Sequence, residues 1–152
     1  MKLYSLLLLA HLLGVIVWVG GMWVMHFAVR PAAALLAPAQ RLPLLADILA
    51  RFFFWVTIAV LAILASGLAM IFGAGGFKGL HASIHAMAAL GLVMMAVFAH
   101  IRLAPFKRLQ LAVVAQDLTL AGASLNQIRQ LVAFNLALGL LTLAVAVVGR
   151  AF

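Results

Sequence analysis

Four runs of apolar residues, each long enough to cross a lipid bilayer, constrain this chain more than any other feature. They cover approximately residues 3–29, 52–72, 80–101 and 131–148. A bilayer core of about 30 Å needs about 20 helical residues, which each run roughly supplies. Charged residues make up 8% of the sequence, whereas soluble domains carry about 25%. The sequence therefore predicts an integral membrane protein with the lipid bilayer as its surroundings.

The runs predict an all-α fold, a four-helix membrane bundle that forms a single transmembrane domain over residues 1–152. Pro31 follows the first run, a glycine cluster at residues 73–79 separates the second from the third, and Pro105 follows the third. Each is a typical signal for the end of a helix. The first run lacks a basic start followed by a small-residue cleavage site, so we expect it to be a retained span.

The connections between the runs differ in character. Residues 31–50 contain three prolines among alanines and leucines, which predicts a short broken helix at the membrane interface. Residues 105–128 alternate charged and apolar side chains in part, which predicts a helical hairpin on the membrane surface. Short interfacial helices are therefore expected in the first and third connections.

Basic residues are divided unequally between the two sides of this bundle. By the positive-inside rule, the richer side faces the cytoplasm. We expect a bacterial inner membrane protein with both termini outside, whose formal charge of +8 reflects topology rather than a nucleic-acid partner. The richer side carries Arg30, Arg41, Arg51, Arg102, Lys107, Arg108 and Arg129, and the other carries Lys2, Lys78 and Arg150.

Two histidine pairs with equal spacing lie in the first and third runs. His11 and His26 are 15 residues apart, as are His85 and His100. A rise of about 1.5 Å per residue separates the members of each pair by about 22 Å. A residual rotation of about 60° lets both face one seam of the bundle. His11 with His85 and His26 with His100 are thus predicted to form two ligand sites, one near each membrane face.

Haem b fits this arrangement, because two neutral imidazoles on neighbouring helices can ligate one iron. We expect one or two haems, with Gly14, Gly21 and Gly91 giving room for the macrocycle. The predicted function is electron transfer, which leaves an oxidoreductase activity open. A quinone or another redox partner is consistent with this function, and the apolar helix faces are consistent with a homodimer.

Copper is the alternative ligand, since thioethers and imidazoles suit Cu(I). Met22 and Met25 adjoin His26, and the third run adds further methionines. His81 lies one turn from His85 and is the alternative outer ligand. A membrane scaffold without any cofactor is a further alternative, because methionine and glycine also serve ordinary helix packing.

Short motifs also resemble known families. His11 followed by Trp18-Val-Gly-Gly21, together with Arg51-Phe-Phe and Ser66-Gly67, resembles the small four-helix members of the CopD-like copper-resistance membrane proteins. The resemblance covers most of the chain and implies copper binding, copper transport or copper resistance, with His11 as the matched site residue.

A more distant similarity connects the chain with the HemJ-type protoporphyrinogen oxidases. It is carried by His11, Trp18, Gly21 and the pair Leu80-His81. This similarity implies haem b binding and the corresponding oxidase activity as a further alternative. Ser83 stands where the HemJ pattern has a lysine, which disfavours that activity.

Overall fold

The computed structural model describes residues 2–149, and this part of the chain is built from helices and turns. Arg150, one of the basic residues predicted on the outer side, lies outside the described residues. Four segments are long and apolar enough to cross a membrane, which confirms the predicted all-α membrane bundle. The helices are α1, Lys2–Ala33; α2, Pro38–Gly73; α3, Ala82–Leu103; α4, Pro105–Val114; and α5, Leu118–Val148.

The first connection is shorter than predicted. Only residues 34–37 separate α1 from α2, and residues 38–50 form the first turns of α2 rather than a separate interfacial helix. Pro38 lies in the first turn, where its missing N–H has no helical partner to lose. Pro43 lies inside the helix near its start. At about 1.5 Å per residue, α2 is about 54 Å long and extends well beyond a bilayer core.

The third connection is a helical hairpin, as predicted. Helix α4 packs closely against the start of α5 and buries Phe106 and Leu109. Gln116 adopts a positive φ of 57° in the turn. The side chain of Asp117 then accepts a hydrogen bond of 2.9 Å from the backbone N–H of Leu120 and caps α5.

The long helices form two antiparallel pairs, since α1 packs chiefly on α2 and α3 chiefly on α5. A chain of edge-to-face aromatic contacts joins the pairs, and we call its four residues, Trp18, Phe53, Phe98 and Phe106, the aromatic core. Ring centroids are separated by 6.1 Å for Trp18 and Phe98, 5.7 Å for Phe98 and Phe53, and 5.0 Å for Phe53 and Phe106. Each such contact contributes about 0.5–1.5 kcal/mol beyond area burial.

The two ends of the bundle differ in packing. We call the end with residues 34–37 and the α4–α5 hairpin the basic end, and the end with residues 74–81 the glycine-turn end. The ring contacts and hydrogen bonds that join the two pairs lie between the middle of the bundle and the basic end. Most of the described residues in the first three turns of α1 are exposed.

Helix α1 contains two π-helical segments, Ile16–Gly20 and Met25–Val29. Hydrogen bonds from i to i+5 place more residues in each turn, so residues beyond such a segment are rotated back relative to a regular α-helix. Both segments fall between His11 and the end of α1. The rotation of about 60° calculated for regular α-helix between His11 and His26 therefore does not apply.

Candidate functional site

His11 lies against α2 through a hydrogen bond with a serine. Its Nδ1 atom is 3.1 Å from the Oγ atom of Ser66, and Ser66 is 3% exposed. The hydroxyl of Ser66 donates its hydrogen to the backbone carbonyl of Ala62, one turn earlier in α2. A hydroxyl has a single hydrogen, so Ser66 Oγ acts as the acceptor towards His11.

With the Ser66 hydrogen on the carbonyl of Ala62, the contact fits the tautomer of His11 that carries its proton on Nδ1. If Nδ1 carries the proton that is donated to Ser66, the Nε2 atom has a free lone pair. Metal-binding histidines are commonly held in this way, with the second ring nitrogen bonded to a fixed oxygen. In that tautomer Ser66 holds the imidazole through Nδ1, and Nε2 is the ring atom left for a ligand.

Gly67 leaves room for the ring of His11. A Cβ atom added at Gly67 would lie 3.3 Å from Cε1 and 3.6 Å from Nδ1 of His11. The first distance is tighter than ordinary van der Waals contact. Ser66 and Gly67 thus act together, since one fixes the ring and the other permits its approach to α2.

A second group of polar and sulfur atoms lies in the middle of the bundle. Asn135 of α5 is 1% exposed, and its Nδ2 atom is 3.9 Å from the Sδ atom of Met22 in α1. The Oδ1 atom of Asn135 has no hydrogen-bond partner among residues 2–149. Two turns further along α5, the Oγ1 atom of Thr142 lies 3.8 Å from the Sδ atom of Met94 and donates to the backbone carbonyl of Leu138. Buried polar atoms usually have hydrogen-bond partners, so the unpaired Oδ1 atom of Asn135 is an unusual feature of this region.

His26 does not lie at the seam predicted for it. It lines a groove between α1, α2 and α5 together with Met25, Phe52 and Arg129. Its ring contacts the neighbouring ring of Phe27, with centroids 4.8 Å apart. The π-helical segment Ile16–Gly20 lies between His11 and His26 and rotates this part of α1 relative to the part that carries His11.

His81 and His85, near the start of α3, are exposed and contact neighbouring residues. The ring of His85 lies 6.0 Å from that of Phe77 in the preceding turn. His81 precedes α3, and its Nδ1 atom accepts the backbone N–H of Ser83 at 3.3 Å. His81 is therefore a helix cap here.

Within the described residues, His100 has no hydrogen bond, ion pair or ring contact. Among the same residues, no hydrogen bond or ring contact joins His11 to His85 or His26 to His100.

The three glycines predicted to surround a macrocycle have different environments. A Cβ at Gly14 would lie 2.7 Å from Cγ1 of Ile63, and one at Gly21 would lie 2.5 Å from the ring of Phe52. These two glycines permit close packing of α1 on α2 instead of leaving open space. Only open space surrounds a Cβ at Gly91.

The donor atoms present favour one metal chemistry. Within residues 2–149, no group of three or more His, Cys, Asp or Glu side chains could hold a metal ion. Hard divalent ions take mainly oxygen ligands, whereas Cu(I) accepts thioethers and imidazoles. An oriented imidazole at His11 and buried thioethers at Met22, Met25 and Met94 fit Cu(I) by this criterion.

Two residues of this region were not predicted as site residues from the sequence. Ser66 was part of a family motif, and its role as a hydrogen-bond acceptor depends on the approach of α1. Asn135 is not among the residues that the sequence predicted for the site. It is the sole amide side chain within the run 131–148, and a lone polar residue in a membrane helix is itself a signal for a functional position.

Fold and site together define an all-helical integral membrane protein with imidazole and thioether donors inside the bundle. The copper resistance protein D family matches residues 46–149, which is more than half of the chain. The chain belongs to this family. The match includes Ser66, Gly67 and Asn135, while His11 and Met22 precede it.

The comparisons with curated proteins and with solved structures found no match. The predicted CopD-like resemblance is confirmed by the family match, and the similarity to HemJ-type oxidases is not shown. Haem b finds no support in the contacts of the four histidines. The copper alternative, not the haem prediction, agrees with the family.

Proposed function

We propose that this protein handles copper within the membrane and that it binds Cu(I) through His11 and the buried thioethers. Family membership supports copper as the ligand. The observation that carries the proposal is the hydrogen bond between His11 and Ser66, which leaves the Nε2 lone pair of the imidazole free for a metal.

The group at Met22 and Asn135 supplies a second position deeper in the bundle. The Nδ2 atom of Asn135 in α5 contacts the thioether of Met22 in α1 there, and the same amide carries an unpartnered oxygen. Soft sulfur suits Cu(I), and the amide oxygen lowers the cost of bringing a cation into an apolar interior. In this proposal copper binds at His11 on one level and at Met22 on another.

Orientation and domain organisation belong to the same proposal. The basic end faces the cytoplasm of a bacterial inner membrane, and His11 lies in the half nearer the outer surface. Copper would then be taken up at the outer half and held deeper at Met22. The four spans and the α4–α5 hairpin act as a single transmembrane domain.

The test is an anaerobic Cu(I) titration of the detergent-purified full chain against a chromophoric Cu(I) chelator. We expect the wild-type protein to compete with the chelator and His11→Ala to lose most of the bound copper. His100→Ala is the matched control, because it removes an exposed imidazole from α3. A wild-type protein that takes no Cu(I) from the chelator contradicts the proposal. Unchanged binding by His11→Ala removes His11 from it.

A visible spectrum of the same sample tests the haem alternative directly. Bis-histidine haem gives a sharp α-band after reduction with dithionite, whereas Cu(I) is colourless. We expect no such band. A preparation that shows the band and holds no copper would overturn the copper proposal and restore the haem prediction at one or both histidine levels.

A further inference from the structure

A groove near the basic end contains two arginines from different helices. Arg30 lies near the end of α1 and Arg129 lies in α5, and both line the same groove between α1, α2 and α5. The groove has an empty volume of about 390 Å³, its open side included. Its walls are mostly apolar and include Leu49 and Phe52 of α2.

The two guanidinium groups repel each other, and no carboxylate compensates them. The chain has two acidic side chains, and each is engaged elsewhere. Asp47 accepts a hydrogen bond of 3.0 Å from Arg51, while Asp117 caps α5. Within residues 2–149, neither Arg30 nor Arg129 has a hydrogen bond or ion pair. Placing two like charges on one groove favours an anion between them.

The groove lies where a membrane surface is expected. Arg30 directly follows the apolar run 3–29, Phe52 begins the run 52–72, and Arg129 lies two residues before the start of the run 131–148. All three residues therefore lie at the boundary between hydrocarbon and headgroups on the basic end. His26, one turn before Arg30, adds an imidazole to the same groove.

We propose that this groove binds an anionic phospholipid, with Arg30 and Arg129 contacting the headgroup phosphate and the apolar walls contacting an acyl chain. Guanidinium groups pair with phosphate through two parallel hydrogen bonds. Basic pockets between membrane helices offer suitable sites for anionic headgroups. The phosphate supplies the negative charge that the protein itself does not provide.

Lipid binding to the detergent-purified full chain tests the proposal. Phosphatidylglycerol and phosphatidylcholine are added in separate titrations, and lipid retention is measured by native mass spectrometry alongside the melting temperature. We expect retention of phosphatidylglycerol above phosphatidylcholine. Arg129→Gln and Arg30→Gln should each lower the apparent affinity for phosphatidylglycerol by about tenfold. Arg129→Lys, which keeps the charge without the paired donors, should lie between them and the wild type.

Arg108→Gln is the matched control, because it removes the same charge from the basic end outside the groove. We expect it to retain phosphatidylglycerol as the wild type does. Equal losses in Arg108→Gln and Arg129→Gln would mean general surface attraction and would overturn the groove site. Equal retention of both lipids by the wild type would also overturn it. If inorganic phosphate alone raises the melting temperature as much as phosphatidylglycerol does, the ligand is a free anion and the lipid proposal is wrong.

Discussion

His11 and Ser66, 55 positions apart in sequence, are joined by a hydrogen bond of 3.1 Å between Nδ1 and Oγ. The contact connects α1 to α2 within one helix pair, on the glycine-turn side of the aromatic core. It fixes the direction of an imidazole in a part of the bundle with few other polar side chains. The properties of His11 therefore depend on a residue of another helix, and this dependence can be measured.

Removing the hydroxyl of Ser66 should weaken copper binding without removing the ligand. We expect Ser66→Ala to lower Cu(I) affinity by about tenfold, the lower end of the usual effect of an orienting partner. Thr57→Ala is the control, because Thr57 donates to the backbone carbonyl of Phe53 in the same helix at 2.7 Å without contacting a histidine. Equal losses in both variants would show a general effect on α2 and not an effect on His11.

Filling the space at Gly67 should displace the ring of His11. A side chain there begins 3.3 Å from Cε1 of the imidazole, so Gly67→Val should lower Cu(I) affinity by moving the ring away from Ser66. Gly91→Val is the control, since no atom lies within 4 Å of a Cβ at that position. Chelator competition measures both variants. Wild-type affinity in Gly67→Val would mean that the ring position is unimportant for binding.

Substitution of Gly14 tests how closely α1 packs on α2. A Cβ there would lie 3.0 Å from the backbone carbonyl oxygen of Ala59 as well as close to Ile63, and the backbone cannot move aside cheaply. Gly14→Ala should lower the free energy of unfolding by about 1–3 kcal/mol, the usual cost of overpacking. In the control Gly20→Ala the Cβ meets no atom within 4 Å. Unfolding in mixed micelles gives both values, and equal stability of the two variants would contradict the packing role.

Substitution of Asn135 distinguishes a structural role of this residue from a role in copper binding. Its Oδ1 atom is buried without a partner within the described chain, and its Nδ2 atom has only a weak sulfur acceptor. Asn135→Leu should therefore keep or raise the stability, by up to about 1 kcal/mol, because an unpaired polar atom is removed. The same variant should reduce Cu(I) binding. A large loss of stability with intact copper binding would indicate a structural residue.

The number of spans could be predicted because a run of apolar residues long enough to cross a bilayer is visible in the local composition. The sequence also predicted the glycine turn, where Gly75 and Gly76 adopt φ values of 94° and 89° that favour glycine. The first connection was less predictable. Pro38 and Pro43 suggested a broken helix, but prolines in the opening turns of a helix remove few backbone bonds, and α2 continues through them.

The candidate site was harder to predict because the side of a helix on which a residue lies depends on the exact backbone geometry of that helix. Equal spacing suggested that His11 and His26 share a seam with the histidines of α3. The π-helical segment Ile16–Gly20 lies between His11 and His26 and changes the rotation between them, and nothing in a composition pattern reveals such a segment. Packing of α1 on α2 then placed His11 beside Ser66, a partner 55 residues away that spacing alone could not identify.

The position of the aromatic core has a mechanical consequence. Edge contacts hold the two helix pairs together at Phe98, whereas α3 begins at Ala82, about 24 Å away along the helix axis. A rotation of one pair against the other about this fixed point moves its far end the most. Tilting by about 5° would shift the start of α3 by roughly 2 Å, given the helix rise. Such a tilt would widen or narrow the glycine-turn end while the aromatic core stays packed.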